Sequence, residues 1–155
     1  MSHPHDEDVD LRHILLVEDE QSAIRLFKEA FAELENPIKV TVATDGEQAL
    51  EILSLQGNSD PGRPDVVVLD LDLPEIDGGE VLRRTRTRDD LASPPVVVVS
   101  NSDDPEVINA SYRLGASLYI VKPTGYQDLV DVVREMGRLL GRNAVHYPSF
   151  DQTEQ

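Results

Sequence analysis

Along the chain, short blocks of aliphatic residues alternate with longer stretches whose apolar positions recur every three or four residues. Val66 to Leu69 runs β-branched and aliphatic without a polar break. Such a run suits a strand buried on both faces, as in a parallel sheet covered by helices. Arg12 to Val17 (RHILLV), Ile38 to Ala43, the PVVVVS block ending at Ser100, and Leu118 to Val121 are four more strand candidates. Helical spacing follows each. Ala23, Ile24, Phe27, Ala30, Phe31 and Leu34 outline the first helix, and Ala49, Leu50, Ile52 and Leu53 the second. A third is expected from about Gly79 to Arg88. The fourth starts at Asp103-Asp104-Pro105, with proline in the tolerated first turn, and closes at Gly115. The fifth runs from Tyr126 to Leu140, with Leu129, Val130, Val133, Met136 and Leu140 on one face. Asn36-Pro37, Asp45-Gly46, the loop at residues 57–64 and Asp77-Gly78-Gly79 punctuate these elements.

Five strands alternating with five helices predict an α/β fold with a parallel sheet and right-handed crossovers. By analogy, the expected arrangement is flavodoxin-like: a doubly wound five-stranded sheet in order 2-1-3-4-5, with helices on both faces. The folded domain is expected over 12–141. Residues 1–11 are polar and acidic and read as a mobile arm, and 142–155 as a polar tail.

Composition narrows the setting. The chain has 155 residues, enough for one domain with a real core, and no cysteine, which excludes disulfides and thiolate metal sites. No apolar run approaches membrane-spanning length and no signal-peptide pattern opens the chain, so a cytoplasmic protein without membrane insertion is expected. The net charge of −16 argues against direct contact with a nucleic-acid backbone. It also costs self-repulsion, which fades where the Debye length shrinks to about 3 Å in molar salt. A salt-adapted, halophile source is therefore expected. Arg83, Arg84, Arg86 and Arg88 form a basic cluster on the third helix, read as a solvated face paired with its own acids.

Candidate chemistry sits where the strands end. Asp70 follows the most apolar strand directly, and Glu18-Asp19-Glu20 follows the first. In the expected strand order these two ends are neighbours, at the edge where open α/β sheets place ligands. Ser100 and Lys122 lie on the same rim. Asp19 taken alone could be a helix cap, Lys122 a surface lysine, Ser100 a turn hydroxyl and Tyr119 plain core. Two unit charges about 4 Å apart at an effective dielectric near 20 repel by roughly 4 kcal/mol, so a carboxylate cluster calls for a cation. Oxygen ligands without Cys or His favour Mg²⁺ or another hard divalent ion. Acids, metal, hydroxyl and ammonium together make a receptor for a phosphoryl group, with Asp70 the candidate nucleophile.

The ordered set ILLVED, DVVVLDLDLP followed by DG, VVVVS and YIVKP resembles the response-regulator receiver domain of two-component signalling over about residues 12–141. The resemblance implies that Asp70 is the phospho-acceptor. It makes Asp19 a direct Mg²⁺ ligand, Glu18 the holder of a metal-bound water, and the backbone carbonyl of Asp72 a further ligand. Lys122 would pair with the acceptor or its phosphoryl, Ser100 would be the switch hydroxyl, and Tyr119 the aromatic that changes rotamer with it. Lys122-Pro123 matches the family's cis-proline junction. Asp72 adds an acid two residues after the acceptor and Asn101 an amide beside Ser100, both at variable positions. The chain resembles stand-alone receivers, including those working with phytochrome-type kinases. The implied partners are a sensor histidine kinase and a downstream protein, or a second copy, at the face formed by the fourth helix, fifth strand and fifth helix.

Three other functions compete. LDLDLP also reads as the Asp-x-Asp of a haloacid-dehalogenase-like phosphatase. That enzyme should carry the motif on its first strand and a further acidic pair after the lysine, and neither holds here. An FMN module needs a phosphate-cradling loop after strand 1, where this chain has the anionic EDEQ. A docking module independent of phosphorylation would not need Asp70, Asp19 and Lys122 together. The charge generates its own test: thermal unfolding followed by circular dichroism should give a markedly lower Tm in dilute buffer than in molar KCl. Equal Tm values refute salt adaptation.

Overall fold

The computed structural model describes residues 11–35, 37–55, 63–73, 78–86 and 94–140. Its elements are β1 (His13–Val17), α1 (Gln21–Ala32), β2 (Lys39–Ala43), α2 (Gly46–Leu55), β3 (Val66–Asp70), α3 (Gly78–Arg86), β4 (Val96–Ser100), α4 (Pro105–Arg113), β5 (Leu118–Val121) and α5 (Tyr126–Leu140). All strand pairs are parallel, and the sheet order is β2-β1-β3-β4-β5. The flavodoxin-like expectation holds.

Strand composition follows position in the sheet. The three central strands, β1, β3 and β4, are buried at every residue, whereas the outer β2 and β5 are mostly half-buried. Successive side chains point to opposite faces, so a uniformly apolar strand feeds two cores. Ile14, Leu16, Val66, Val68, Val97 and Val99 pack against Phe27 and Phe31 of α1 and Val133 and Met136 of α5. Leu15, Val17, Val67, Leu69, Val96 and Val98 pack with Ala49 and Leu53 of α2 and Val81 and Leu82 of α3.

Several boundaries move. Leu11, placed in the arm by its polar neighbours, is fully buried in the core shared with α1 and α5. An aliphatic side chain next to the first strand gains more from burial than its neighbours gain from water. The rest of the arm, residues 1–10, and residues 141–155 lie outside the described residues. β3 runs one residue further than its apolar block, because Asp70 still pairs with Val99 and Leu71 N–H still reaches Val99 O at 3.3 Å. No cis peptide bond occurs among the described residues, so Lys122–Pro123 is trans where the resemblance implies cis. The trans form is the lower-energy X–Pro isomer, and Lys122 N–H keeps its ladder bond to Ser100 O at 2.8 Å.

The turn beyond Asp70 depends on a glycine for close approach. Gly78 N–H bonds Leu71 O at 2.9 Å, and a Cβ there would stand 2.5 Å from Leu71 Cα and 2.7 Å from Asp70 O. Both are backbone atoms that cannot yield without moving Asp70. A Cβ at Gly125, by contrast, would meet nothing within 4 Å. Gly78→Ala is therefore expected to lose about 1–3 kcal/mol of stability in urea unfolding, while Gly125→Ala stays within about 0.5 kcal/mol of wild type.

Candidate functional site

Each acid of the site is delivered by a strand end. Glu18 follows β1 directly, and its own N–H extends the ladder to Ala43 O at 3.0 Å, which fixes the residue in a buried position. Asp19 comes next and is exposed. It is not the cap of α1: that position belongs to Glu20, which makes no side-chain cap bond. Asp70 closes β3. Because β1 and β3 are adjacent, one carboxylate oxygen from each of Glu18, Asp19 and Asp70 lies within 4.8 Å of the others. Among the described residues, no second group of three His, Cys, Asp or Glu side chains meets that spacing.

The pocket is nearly closed to water on its inner side. Glu18 is 1%, Asp70 4% and Ser100 3% exposed. Lys122, half-buried after β5, sets its Nζ 3.4 Å from Asp70 Oδ2 and 3.9 Å from Glu18 Oε1. One ammonium is thus shared by two buried carboxyl groups, with a third, Asp19, grouped beside them. The shortfall registers at Glu18: burial, then the charge of Asp70, pushes its carboxyl up to about 7, against the smaller lowering effect of Lys122. A buried acid whose ionisation one lysine does not sustain, grouped with two further carboxylates, fits a divalent cation. With oxygen as the donor atom throughout, that ion is of the hard class.

The remaining residues define the rim. Asp72 is exposed, and its N–H donates to Asp70 Oδ1 at 3.0 Å, orienting the carboxylate from the loop side. Ser100 Oγ accepts from Ser102 N–H at 3.1 Å. Tyr119 is half-buried, and its hydroxyl donates to Ser102 O at 2.8 Å. Its backbone N–H donates to Tyr112 Oη at 3.0 Å. Ser102 and Tyr112 were not singled out from the sequence. Ser102 sits in a run of small polar residues, and Tyr112 lies seven residues before its partner on a different element, a separation that carries no periodic signal. Arg83 and Arg84 both bind Glu80 on their own helix, which bears out the solvated-face reading for those two. The side chain of Arg86, and Arg88 altogether, lie outside the described residues.

The raised Glu18 pKa has a sign. The folded state holds this proton up to about pH 7 and the unfolded state releases it near 4.5, so folding favours the protonated form. The resulting stability is full below about pH 4.5 and is lost as pH rises through about 7. In chelator, the free energy of unfolding should fall by up to about 3 kcal/mol across that window. Glu18→Gln should flatten that slope, and a millimolar divalent ion should restore stability at the alkaline end. An unchanged slope in Glu18→Gln contradicts the assignment.

Comparison with known proteins agrees with this pocket. The family model described as "Response regulator receiver domain" matches residues 14–134. The chain is 35% identical to the response regulator Rcp1 of Synechocystis over 122 residues, 78% of this chain and 83% of Rcp1. It is 34% identical to the probable methanogenesis regulatory protein FilR2 of Methanothrix harundinacea over 79% of each chain. Among solved structures, the phosphorylated cyanobacterial phytochrome response regulator RcpA superposes with a TM-score of 0.76 at 36% identity, covering 90% of this chain and 99% of that one. The Mn²⁺-bound form of Rcp1 does so with a TM-score of 0.73 at 33% identity, covering 89% and 99%. With its sheet order, its acidic pocket and this match over most of its length, the chain belongs to the response regulator receiver domain family.

Proposed function

We propose that Asp70 accepts a phosphoryl group from the phosphohistidine of a sensor histidine kinase, with Mg²⁺ required, and that the chain signals through the change this causes on the Ser100 and Tyr119 side of the sheet. The observation that carries the reading is the buried Asp70 carboxylate 3.4 Å from Lys122 Nζ inside a cluster of three acids. An Asp70 carboxylate oxygen attacks phosphorus. The P–O bond forms as the P–N bond of the phosphoimidazole breaks, and the leaving imidazole nitrogen keeps the electron pair. Lys122 supplies a fixed positive charge for the phosphoryl oxygens, and the N–H of Asp72 holds the nucleophile in line.

Asp19, Asp70 and the backbone carbonyl of Asp72 would hold the ion directly, and Glu18 would hold a water bound to it. Bound there, the ion neutralises charge on the cluster and on the incoming phosphoryl group. The Ser100 hydroxyl turns towards the phosphoryl oxygen, giving up its bond from Ser102 N–H, and Tyr119 then loses its fixed acceptor at Ser102 O. Output passes through a protein partner or a second copy at the α4–β5–α5 face. That face is exposed at Tyr112 and Val121. The chain acts stoichiometrically as a signal carrier, not as a multiple-turnover phosphatase. Its mode of action is proposed to parallel that of the phytochrome response regulators it resembles.

Incubation with acetyl phosphate and Mg²⁺ followed by intact-mass measurement should show one phosphoryl adduct. Asp70→Asn or excess chelator should abolish it, and Lys122→Ala should slow loading by about a hundredfold, in line with the loss of one charge that stabilises a transition state. Sustained phosphate release from small esters, or an adduct that survives Asp70→Asn, contradicts the reading.

A further inference from the structure

Helix α4 is lightly seated. Of its nine residues only Ser111 is buried, and that side chain spends its hydroxyl on Val107 O of the same helix. α1 and α5, by contrast, bury phenylalanine, leucine, valine and methionine side chains. An element with so little apolar burial opens at low free energy, so single polar bonds weigh heavily in holding it.

Among the described residues, two such bonds tie α4 and the loop before it to β5, and both end on Tyr119. At the start of the helix, the Tyr119 hydroxyl donates to Ser102 O, two residues before the Asp104 cap. Ser102 Oγ also accepts from Asp104 N–H at 3.1 Å, so the loop and the cap move together. In the last turn, Tyr119 N–H donates to Tyr112 Oη. One strand residue therefore grips the helix at both ends. The first grip runs through Ser102 N–H to Ser100 Oγ and so to the acid pocket. The second has no bond into the pocket. Tyr112 is 37% exposed, so burial of its ring does not explain the placement of its hydroxyl. β5 is the last strand of the sheet, and its Tyr119 N–H finds its acceptor in this side chain.

We propose that the Tyr112 hydroxyl is a latch: it holds the end of α4 against β5 in the resting protein and thereby slows the loading of Asp70. The second half rests on the function proposed above, in which Ser100 must leave Ser102 to meet a phosphoryl group. When Ser100 leaves, the first grip fails, and the Tyr112 bond is what still favours the resting position of α4. A ligand shifts a two-state element only against the free energy that holds it. Tyr112 is thus a positioning residue, acting on the site through Tyr119.

Tyr112→Phe keeps the ring and removes the hydroxyl. In the resting, metal-free protein, amide hydrogen exchange should accelerate about fivefold at Tyr119 and through residues 108–113, the worth of one ordinary net hydrogen bond. The amides of β3 should exchange as in wild type. Loading from acetyl phosphate with Mg²⁺ should be several-fold faster and reach the same final extent. Tyr119→Phe serves as the second variant: it should loosen the start of α4 and leave the Tyr119 amide protected, since it spares the backbone donor. Unaltered exchange at Tyr119 in Tyr112→Phe overturns the latch. So does acceleration spread evenly over the whole sheet, or a loosened α4 with an unaltered loading rate. A wild-type protein that takes no phosphoryl group fails the functional reading itself, a result separate from a wild type that loads at the same rate as Tyr112→Phe.

Discussion

Two carboxylates buried beside a single lysine set the terms for the rest of the molecule. Glu18 and Asp70 leave water at the mouth of a sheet, and Lys122 is shared between them at 3.9 and 3.4 Å. Left to itself this triad does not balance, because burial and mutual repulsion together outweigh one ammonium and push Glu18 up to about 7. Placing Asp19 beside them increases the deficit. A fold that keeps such a cluster keeps a site whose charge state is open to change. On the function proposed above, a divalent ion would lower the deficit, and a phosphoryl group on Asp70 would add negative charge that Lys122 faces. The same imbalance that weakens the ligand-free pocket is what would make it responsive in that reading.

Holding that imbalance in place requires a stiff frame, and the sheet supplies it. β1, β3 and β4 are buried at every position, and their alternating side chains are locked into two cores at once. Neither Glu18 nor Asp70 can retreat without breaking ladder bonds or sliding a whole strand, a slip that would turn each apolar side chain to the wrong face. Gly78 closes the frame behind Asp70, where its missing Cβ lets the chain return against the backbone of Leu71. Tight burial thus falls on the strands that carry acids, and the lighter packing falls on β5 and α4.

How much of this was legible in the sequence follows the same division. The central strands were readable because a parallel sheet buried on both faces demands unbroken aliphatic runs, and the amphipathic α5 was readable to its ends because five apolar positions keep helical spacing. Strand order came from fold analogy, and the convergence of Glu18, Asp19 and Asp70 followed from it. Leu11 is hidden in the sequence because a lone apolar residue among polar neighbours carries no periodic pattern, although it is fully buried. Asp19 as a cap could be set aside once the helix was seen to begin after Glu20. Ser102 and Tyr112 were not legible at all. A hydroxyl that bonds a backbone amide on another element leaves no periodic trace, and neither residue type is unusual where it stands.

In the function proposed above, that last class of contact is what would let a stiff site inform a distant surface. The pocket and the outer face of α4 share no apolar core strong enough to force one to follow the other; α4 buries too little for that. What joins them is a short chain of hydrogen bonds from Ser100 through Ser102 to Tyr119 and on to Tyr112. Each link has a net worth of about 1 kcal/mol, comparable with the free energy that a small helix risks when it shifts. Links much stronger than this would weld α4 to the sheet, and links much weaker would let it drift whatever occupied the pocket. A bistable element, as α4 is proposed to be, needs restraints of this middle size, and here the candidates are hydroxyl and amide groups on a rim whose centre is ionic.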